Sequence, residues 1–413
     1  MTRRSPLLPI FLIVLVDVFG LTLVIPLLAI YAEHFGATPL QATMLVSTYA
    51  ACQFISGPIL GSLSDKHGRK PILIISQIGT FLGFLLMARA QVLWLIYVAR
   101  VIDGLTAGNL TTAQAYISDN TRPEDRTKSF AIIGISFGVG FFVGPSVTGL
   151  LVGYGLNAPI YLAAALSMTS ILCTTFLLPG GAPPQAHPGE DAGPGGRRPS
   201  PFDIERYAKY VTRPVLGGLY LQFFCFIFAF NTFTSGFALF AERQFTWDGH
   251  PFGVREIGYL FTYVGFLGII IQGGLMGKLV KRLGEPFLVA FGFAGMTAGY
   301  GLLGFIHTVP PLVLTASISG IGNAILRPNL SSLITQTASR QEQGVAIGIS
   351  QSLGSVAQIL APVLCGTLIQ TSHLLAWAMV ASSAACLGLL AGKWGSAKVP
   401  RPAPKATPQP AGS

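Results

Sequence analysis

Three charged residues lie inside long apolar stretches of this sequence, where a charge is costly. Asp17 falls in the first apolar stretch, and Arg100 and Asp103 fall three positions apart in the fourth. Residues at i and i+3 share one face of a helix, so Arg100 and Asp103 can form an ion pair. A lone charge near the middle of a bilayer costs at least about 2.5–3.5 kcal/mol, and residues kept there are by default candidates for a function. We predict that Asp17, Arg100 and Asp103 form a pocket that binds and releases protons. The alternative is a structural ion pair that fixes helix register.

The stretch GSLSDKHGRKPIL concentrates charge in a chain that is only 10% charged. Gly61 and Gly68 permit close helix approach and a tight turn. Asp65 can pair with Arg69 or Lys70, which gives the loop a charge pair that could form or break. The simpler interpretation is that the basic residues only anchor this loop on one side of a membrane.

The elements that must position these residues are membrane-spanning helices. Of the 413 residues, 51% are hydrophobic, and the mean hydropathy is +0.61. A soluble domain carries about a quarter charged residues. Apolar stretches here approach the roughly 20 residues that cross a bilayer, where backbone groups must be satisfied within each segment. The sequence predicts an all-α membrane protein with twelve transmembrane helices, the fourth running over residues 93–117.

The basic residues follow membrane sidedness. All but five of the 26 Lys and Arg residues fall on one side of the predicted spans or in the two termini. The five others are Arg89, Arg100, Arg243, Arg255 and Arg327. Because cytoplasmic loops carry the excess of Lys and Arg, we expect both termini in the cytoplasm of a bacterial inner membrane. The net charge of +10 is then a topology signal, and no nucleic-acid partner is expected.

Cofactors and catalysis are not indicated. The five cysteines are widely spaced within predicted helices, which argues against a disulfide framework and a metal site. No G-x-x-x-x-G-K-[ST] sequence appears, and no cluster of His or Ser/His/Asp residues falls at membrane depth. We therefore expect neither a metal nor a cofactor, and a membrane-embedded enzyme or a non-transporting receptor is the less favoured class.

A central linker divides the chain into two halves. Residues 179–213 are rich in Pro and Gly and lack apolar periodicity, which is typical of a flexible linker. They separate a six-helix bundle over residues 1–178 from a second over residues 214–395. Residues 396–413 have the composition of a disordered cytoplasmic tail.

Glycines and one proline recur at corresponding places in the two halves. The pairs are Gly61 and Gly277, Gly68 and Gly284, Gly104 and Gly320, and Pro145 and Pro362. Together with the equal number of predicted spans, this recurrence indicates two pseudo-symmetric bundles. Repeats of this kind place a substrate cavity at their interface near the bilayer midplane.

Several stretches resemble a known family. GSLSDKHGRKP resembles the signature between helices two and three of the major facilitator superfamily, and RVIDGLTAGN resembles its fourth-helix motif. GVGFFVGPSVTG resembles the fifth-helix signature of the proton-coupled drug antiporters in that superfamily, and DVFGLTLVIP is similar to their first helix. The subgroup that the chain resembles comprises twelve-helix drug:proton antiporters, which include tetracycline exporters.

This resemblance implies roles for three sets of residues. Asp17, Arg100 and Asp103 would couple transport to protons. The conformational switch, a charge latch between the halves that holds the outward-facing state, would comprise Gly61, Asp65, Gly68, Arg69 and Lys70. The helix-five motif, a tight interface between the halves that resists leaks, would comprise Gly140, Gly144, Pro145 and Gly149. In the second half Lys281 and Glu285 stand where Asp65 and Arg69 stand in the first.

Polar residues on otherwise apolar helices are candidates for the substrate cavity. They are Gln53, Asn109, Gln114, Gln222, Asn231, Gln272, Asn323, Arg327 and Gln351. Arg327 could bind an anionic or carbonyl-bearing substrate, or it could extend to the membrane interface. Phenylalanines crowd the seventh helix, and an aromatic cavity with few fixed charges suits amphiphilic, flat or weakly cationic compounds.

These observations predict a secondary transporter. We expect a monomer that exports drug-like amphiphiles in exchange for protons by alternating access, with antibiotic resistance as a consequence. Its partners would be a small-molecule substrate, protons and the lipid bilayer. A proton symporter or a uniporter for a sugar or small metabolite would share the fold and remains the alternative.

Overall fold

A computed structural model of the chain describes residues 7–120, 126–178, 212–338 and 342–395. Nearly all of these residues are helical. Most of the predicted linker and the whole of the predicted tail, residues 396–413, lie outside the described residues.

The described helices account for the twelve predicted spans. In the N-terminal half they are α1 (Leu7–His34), α2 (Pro39–His67), α3 (Arg69–Ala88), α4a (Leu93–Leu105), α4b (Asn109–Asn120), α5 (Arg126–Leu151) and α6 (Ala158–Leu177). In the C-terminal half they are α7 (Pro214–Gln244), α8a (Val254–Ile269), a π turn (Ile270–Leu275), α8b (Met276–Leu283), α9 (Glu285–Leu303), α10 (Val309–Thr337), α11 (Gln343–Gln370) and α12 (Leu374–Gly395). A 3₁₀ turn (Val152–Tyr154) follows α5, and a small antiparallel hairpin pairs β1 (Thr246–Trp247) with β2 (His250–Pro251).

Ten of these spans are long and apolar enough to cross a membrane. The other two are the fourth, which is divided in two, and the fifth, α5, whose apolar stretch continues into the 3₁₀ turn over Gly138–Tyr154. The twelve-helix prediction is confirmed, and the β1–β2 hairpin between α7 and α8a is an addition that the sequence did not indicate.

The fourth helix was predicted as continuous over residues 93–117, and this prediction was wrong. The helix ends at Leu105, and α4b begins at Asn109. The Thr106 hydroxyl bonds to the Ile102 carbonyl of the preceding turn at 2.8 Å, a side-chain contact that competes with regular helix bonding. Gly108 then passes close to the side chains of α2 and α3, where a Cβ atom would lie 2.8 Å from Ser76 Oγ.

The same backbone turn occurs once in each half. Gly68 separates α2 from α3 with a φ angle of 93°, and Gly284 separates α8b from α9 with a φ angle of 78°. Residues with a Cβ atom rarely adopt such angles, so glycine is required at both positions. The two glycines are a pair that the sequence recurrence aligned, and they support a duplicated architecture.

Each half packs around its own helices, and a few helices join the halves. In the N-terminal half α1 contacts α5 and α6, and α3 contacts α4a and α6. In the C-terminal half α7 contacts α11 and α12, and α9 contacts α10 and α12. Between the halves, α5 lies along α8a, α2 lies along α11, and α1 contacts α7.

One hydrophobic cluster runs through both halves at the end of the molecule opposite residues 61–73. It joins Leu27 and Tyr31 of α1 to Phe240 of α7 and Trp377 of α12. We call the end that carries residues 61–73 the loop end, and the opposite end the far end. Toward the loop end, the buried clusters belong either to the N-terminal half or to the C-terminal half. A continuous apolar core therefore closes the far end.

Candidate functional site

A cavity of about 410 Å³ lies between the two halves. Its walls come from α1, α4b and α5 on one side and from α7 to α11 on the other. At the loop end, a Cβ atom on Gly61 or Gly277 would meet no described atom within 4 Å. At the far end, a Cβ atom on Gly258 of α8a would lie only 2.6 Å from the Pro145 carbonyl oxygen of α5. The halves thus touch at the far end and separate toward the loop end.

Five of the nine predicted cavity residues line this space. They are Gln114, Gln272, Asn323, Arg327 and Gln351. They come from four different spans, which shows that the cavity collects polar groups from both halves. Arg327 is exposed, and it lies in the cavity wall.

The other four predicted residues lie elsewhere. Gln53 and Asn231 form hydrogen bonds within their own helices, α2 and α7. Gln222 donates to the Gly388 carbonyl at 3.1 Å and joins α7 to α12. Asn109 lies in the charged pocket described below. Sequence alone could not distinguish these positions because each depends on the rotation of its helix.

Aromatic side chains form much of the apolar wall. Phe226, Phe230 and Phe233 of α7 line the cavity. The Phe233 ring stacks on Tyr300 of α9 with 4.9 Å between their centroids. Aromatic residues of the seventh helix were predicted from the sequence, whereas Tyr300 and Phe141 of α5, which also line the cavity, were not. No sequence signal separates these rings from the many that face lipid.

The helix α10 presents one continuous face to the cavity. The lining residues on it are Ala316, Ser319, Gly320, Asn323, Ala324, Arg327, Pro328 and Ser331. Steps of three and four residues keep these positions on one side of a helix. This stripe of small and polar residues is visible in the sequence, although only Asn323 and Arg327 were predicted from it.

Beside the cavity, the π turn between α8a and α8b contacts α10 next to a proline. Pro328 has no backbone N–H, so it cannot bond to the Ala324 carbonyl one turn earlier. The Gln272 side chain, from the π turn, donates to that carbonyl at 3.1 Å. π turns occur often at functional sites. This contact holds Gln272 against the α10 face that carries Arg327.

A buried ion pair lies in the N-terminal half. Arg100 Nη2 is 3.0 Å from Asp103 Oδ2, and the two side chains are only 4% and 5% exposed. The guanidinium lies over the rings of Tyr49 and Phe84, at 5.6 Å and 5.8 Å from their centroids. The structure thus brings together the i, i+3 pair that the sequence predicted.

Asp17 of α1 lies near this pair. Its carboxylate lies beside the Ser170 hydroxyl of α6 and the Asn109 amide of α4b, and it interacts electrostatically with Asp103. Gln77 of α3 donates to the same Ser170 hydroxyl at 2.8 Å. We call this set the charged pocket: Asp17, Gln77, Arg100, Asp103, Asn109 and Ser170.

Several buried polar atoms of the charged pocket, and of the helices α3 and α4b that contribute to it, have no hydrogen-bond partner among the described residues. They are Asp17 Oδ1, Ser76 Oγ, Gln77 Oε1, Arg100 Nε, Asn109 Oδ1 and Thr112 Oγ1. Buried polar groups are normally bonded to protein or to ordered water. Ordered water can satisfy buried polar atoms of this kind.

The charged pocket and the cavity are neighbours through two helices. On α4b, Asn109 lies beside Asp17, while the following Leu110 and then Gln114 line the cavity. On α1, Thr22 lines the cavity about one turn and a half beyond Asp17. A movement of either helix would therefore change the geometry of both the charged pocket and the cavity.

The predicted switch residues make contacts within the N-terminal half. Arg69 Nη1 lies 2.5 Å from Asp65 Oδ1 and donates to Ser64 Oγ at 2.6 Å. Lys70 Nζ donates to the carbonyls of Thr175 and Leu178, each at 2.8 Å, and so satisfies the end of α6. This capping contact of Lys70 was not foreseen.

The helix-five motif faces two directions. Thr22 of α1 donates to the Gly140 carbonyl at 2.9 Å, and Gly144 lies against the same threonine. A Cβ atom on Gly149 would lie 3.1 Å from the Arg255 carbonyl oxygen at the start of α8a. The first part of the motif therefore packs within the N-terminal half, and the second part contacts the C-terminal half.

Comparison with known proteins extends these observations. The sequence model of the Major Facilitator Superfamily matches residues 10–362 and 252–412. The chain is 30% identical over 378 residues to the tetracycline resistance protein, class C, of Escherichia coli, covering 88% of this chain and 89% of that protein. It is 25% identical over 368 residues to multidrug resistance protein 2 of Bacillus subtilis (strain 168), covering 87% of this chain and 88% of that protein.

A solved structure with a similar fold is that of the human organic anion transporter MFSD10 (TETRAN). The superposition has a TM-score of 0.71, with 21% sequence identity, and covers 95% of this chain and 100% of the other. At this level of identity the similarity concerns the fold alone.

Proposed function

Because the chain belongs to the Major Facilitator Superfamily, we propose that this transporter is a proton-coupled antiporter that exports drug-like amphiphiles by alternating access. The observation that carries this proposal is the position of the charged pocket next to the cavity between the halves. A transporter that exchanges substrate for protons must couple the binding of the two, and neighbouring sites on shared helices provide one way to do so. Here α1 and α4b contribute to both.

The proton-binding group in this proposal is Asp17. Arg100 is already paired with Asp103, whereas Asp17 is flanked by neutral donors, Ser170 and Asn109. When a carboxylate beside neutral groups binds a proton, the charge at that place changes from −1 to zero. The carboxyl group can then also donate a hydrogen bond, so its hydrogen bonds rearrange. Asp103 and Arg100 would set the field in which Asp17 titrates.

Alternating access would use the two ends of the molecule in turn. The far end is closed by the contacts of α5 with α8a and of α2 with α11, and the cavity lies toward the loop end. If the loop end faces the cytoplasm, this conformation can accept substrate from the cell interior. The switch residues Asp65 and Arg69 would then engage the C-terminal half when the loop end closes.

The cellular setting that we propose is the inner membrane of a bacterium, with both termini in the cytoplasm and with one chain as the functional unit. The basic residues concentrate at the loop end and the termini, which is the cytoplasmic side by the positive-inside rule. Both relatives named above come from bacteria and are resistance proteins. We propose no chemical catalysis for the chain.

Proteoliposomes that contain a pH-sensitive dye test this function. Addition of tetracycline or another flat amphiphilic probe across an imposed pH gradient should move probe and protons in opposite directions. Asp17→Asn should still bind the probe but should move no protons. Asp248→Asn is the matched control, because Asp248 lies exposed in the hairpin turn with a positive φ angle that asparagine tolerates.

Three outcomes would overturn the proposal. Movement of probe and protons in the same direction would indicate a symporter. Probe movement without protons in the unmodified protein would indicate a uniporter. Unchanged pH dependence in Asp17→Asn would remove Asp17 from the coupling site.

A further inference from the structure

The charge of the cavity wall has one sign. Among the described residues that line the cavity, Arg327 is the only charged side chain, and none is Asp or Glu. Arg327 belongs to the cavity wall and is classed as exposed over the whole residue. The buried carboxylates Asp17 and Asp103 belong to the charged pocket, where Arg100 already neutralises Asp103. A ligand in the cavity therefore meets a positive charge and no carboxylate in the lining.

The polar groups near Arg327 on the cavity face of α10 can also donate hydrogen bonds to a ligand. Asn323 lies one turn before it, and Ser331 lies one turn after it, both in the cavity wall. Gln272 is held beside the same face by its bond to the Ala324 carbonyl. Amide N–H and hydroxyl groups can donate hydrogen bonds, and a guanidinium can only donate. This face of α10 thus suits an acceptor group with several oxygen atoms.

The aromatic wall of the cavity can bind the flat apolar part of a ligand. Phe226, Phe230 and Phe233 of α7 and Tyr300 of α9 line the cavity, and the last two rings are stacked at 4.9 Å. Aromatic rings bind flat ligands by stacked or edge-to-face contact. The cavity therefore combines an apolar aromatic region with a localised positive region.

We propose that the cavity selects flat amphiphilic organic anions, with a carboxylate, sulfonate or enolate bound by Arg327 and the ring system held by the aromatic residues of α7 and α9. This inference rests on the proposed function for its physiological meaning and names the substrate class of that site. It replaces the weakly cationic class that aromatic composition alone suggested. A guanidinium binds planar anions through two parallel hydrogen bonds, which a neutral or cationic analogue cannot accept.

The test is equilibrium binding by the purified full-length protein in detergent, measured by isothermal titration calorimetry. The probes are 2-naphthoate, 2-naphthamide and 2-naphthylmethylammonium, which share a ring and differ in charge. We expect 2-naphthoate to bind at least about tenfold more tightly than the other two, because hydrogen bonds between a guanidinium and a carboxylate are roughly twice as strong as neutral ones. Stronger or equal binding of the ammonium probe would overturn the proposal.

Variants assign the preference to Arg327. Arg327→Gln should remove the preference for 2-naphthoate and leave 2-naphthamide binding unchanged, while Arg327→Lys should retain part of the preference. Arg255→Gln is the matched control, because Arg255 is bonded to Tyr259 within α8a and does not line the cavity. If Arg327→Gln also loses 2-naphthamide binding, Arg327→Lys decides: a retained anion preference supports the proposal, and its loss overturns it.

This experiment is independent of proton coupling. Binding in detergent requires no gradient and no transport. A preserved preference for 2-naphthoate together with absent proton exchange in proteoliposomes would overturn the antiport mechanism but not the anion site. The reverse result would leave antiport standing and would overturn the anion site.

Discussion

Arg243 of α7 and Glu33 of α1 form an ion pair that joins the two halves at the far end, with 2.6 Å between Arg243 Nη2 and Glu33 Oε1. The partners are 210 positions apart in the sequence. Glu242 Oε2 lies 3.9 Å from the other terminal nitrogen of the same arginine. One guanidinium therefore lies between two carboxylates at the place where the halves must separate for the cavity to open toward the far end.

We predict that Arg243→Gln weakens closure of the far end. Spin labels on Met44 of α2 and Gln370 of α11 would report the separation of the halves by pulsed electron paramagnetic resonance. An exposed ion pair contributes roughly 0–1 kcal/mol, so the population of the separated far end should rise by up to about fivefold. The two side chains are 32% and 19% exposed, so the effect should fall as salt concentration rises.

Arg255→Gln serves as the control for the ion-pair measurement, because that arginine contacts Tyr259 of its own helix. Its distance distribution should match that of the unmodified protein. A distribution in Arg243→Gln that is indistinguishable from that of Arg255→Gln would contradict a role for the Arg243–Glu33 pair in closing the far end.

A second prediction concerns the buried pair of Arg100 and Asp103. Arg100→Met should destabilise the protein by about 3–5 kcal/mol, because it leaves Asp103 buried without its cation. The double variant Arg100→Met with Asp103→Leu should recover most of that loss, because it removes both charges. Thermal unfolding in detergent measures both effects.

Transport by the double variant separates the two interpretations of this pair. A stable double variant that has lost proton-coupled transport supports a role in coupling. A stable double variant with normal coupling would show that the pair only fixes helix register. Additive losses of stability in the two single variants would contradict direct pairing.

A third prediction concerns the loop between α2 and α3. Asp65→Asn should lower the initial rate of transport severalfold while leaving membrane insertion and yield unchanged. The physical reason is that Asp65 pairs with Arg69 in the described conformation and, in our proposal, engages the C-terminal half when the loop end closes. Initial rates of probe uptake in proteoliposomes provide the measurement.

Lys66→Gln is the matched control for Asp65→Asn. Lys66 lies next to Asp65 in the sequence and is exposed, so its neutralisation removes a charge from the same loop without touching the Asp65–Arg69 pair. Its transport rate should be normal. Normal turnover in Asp65→Asn would refute the switch hypothesis. Equal losses of transport rate in both variants would show that any charge in this loop has the same effect, which would also contradict a specific role for Asp65.

Much of the fold was predictable because its causes are local in the sequence. Apolar stretches of sufficient length must become helices in a bilayer, where each segment satisfies its own backbone. Gly68 and Gly284 mark the same turn in each half, and their positive φ angles agree with the tight turn that was predicted from the sequence at Gly68. The i, i+3 spacing of Arg100 and Asp103 likewise predicted the pair that the structure contains.

Other features depended on how the helices are rotated and which neighbours they meet. Sequence could not tell that Gln222 bonds to α12 while Gln272 reaches the Ala324 carbonyl freed by Pro328. It could not place Glu33 against Arg243, because each is an ordinary helix-end charge until the halves come together. The sequence alone determined the membrane helices, their division into halves and the buried charges, since hydropathy and spacing are properties of single segments. Only the tertiary structure decided which polar side chains share the cavity and which end is closed, since both follow from contacts between segments far apart in the chain.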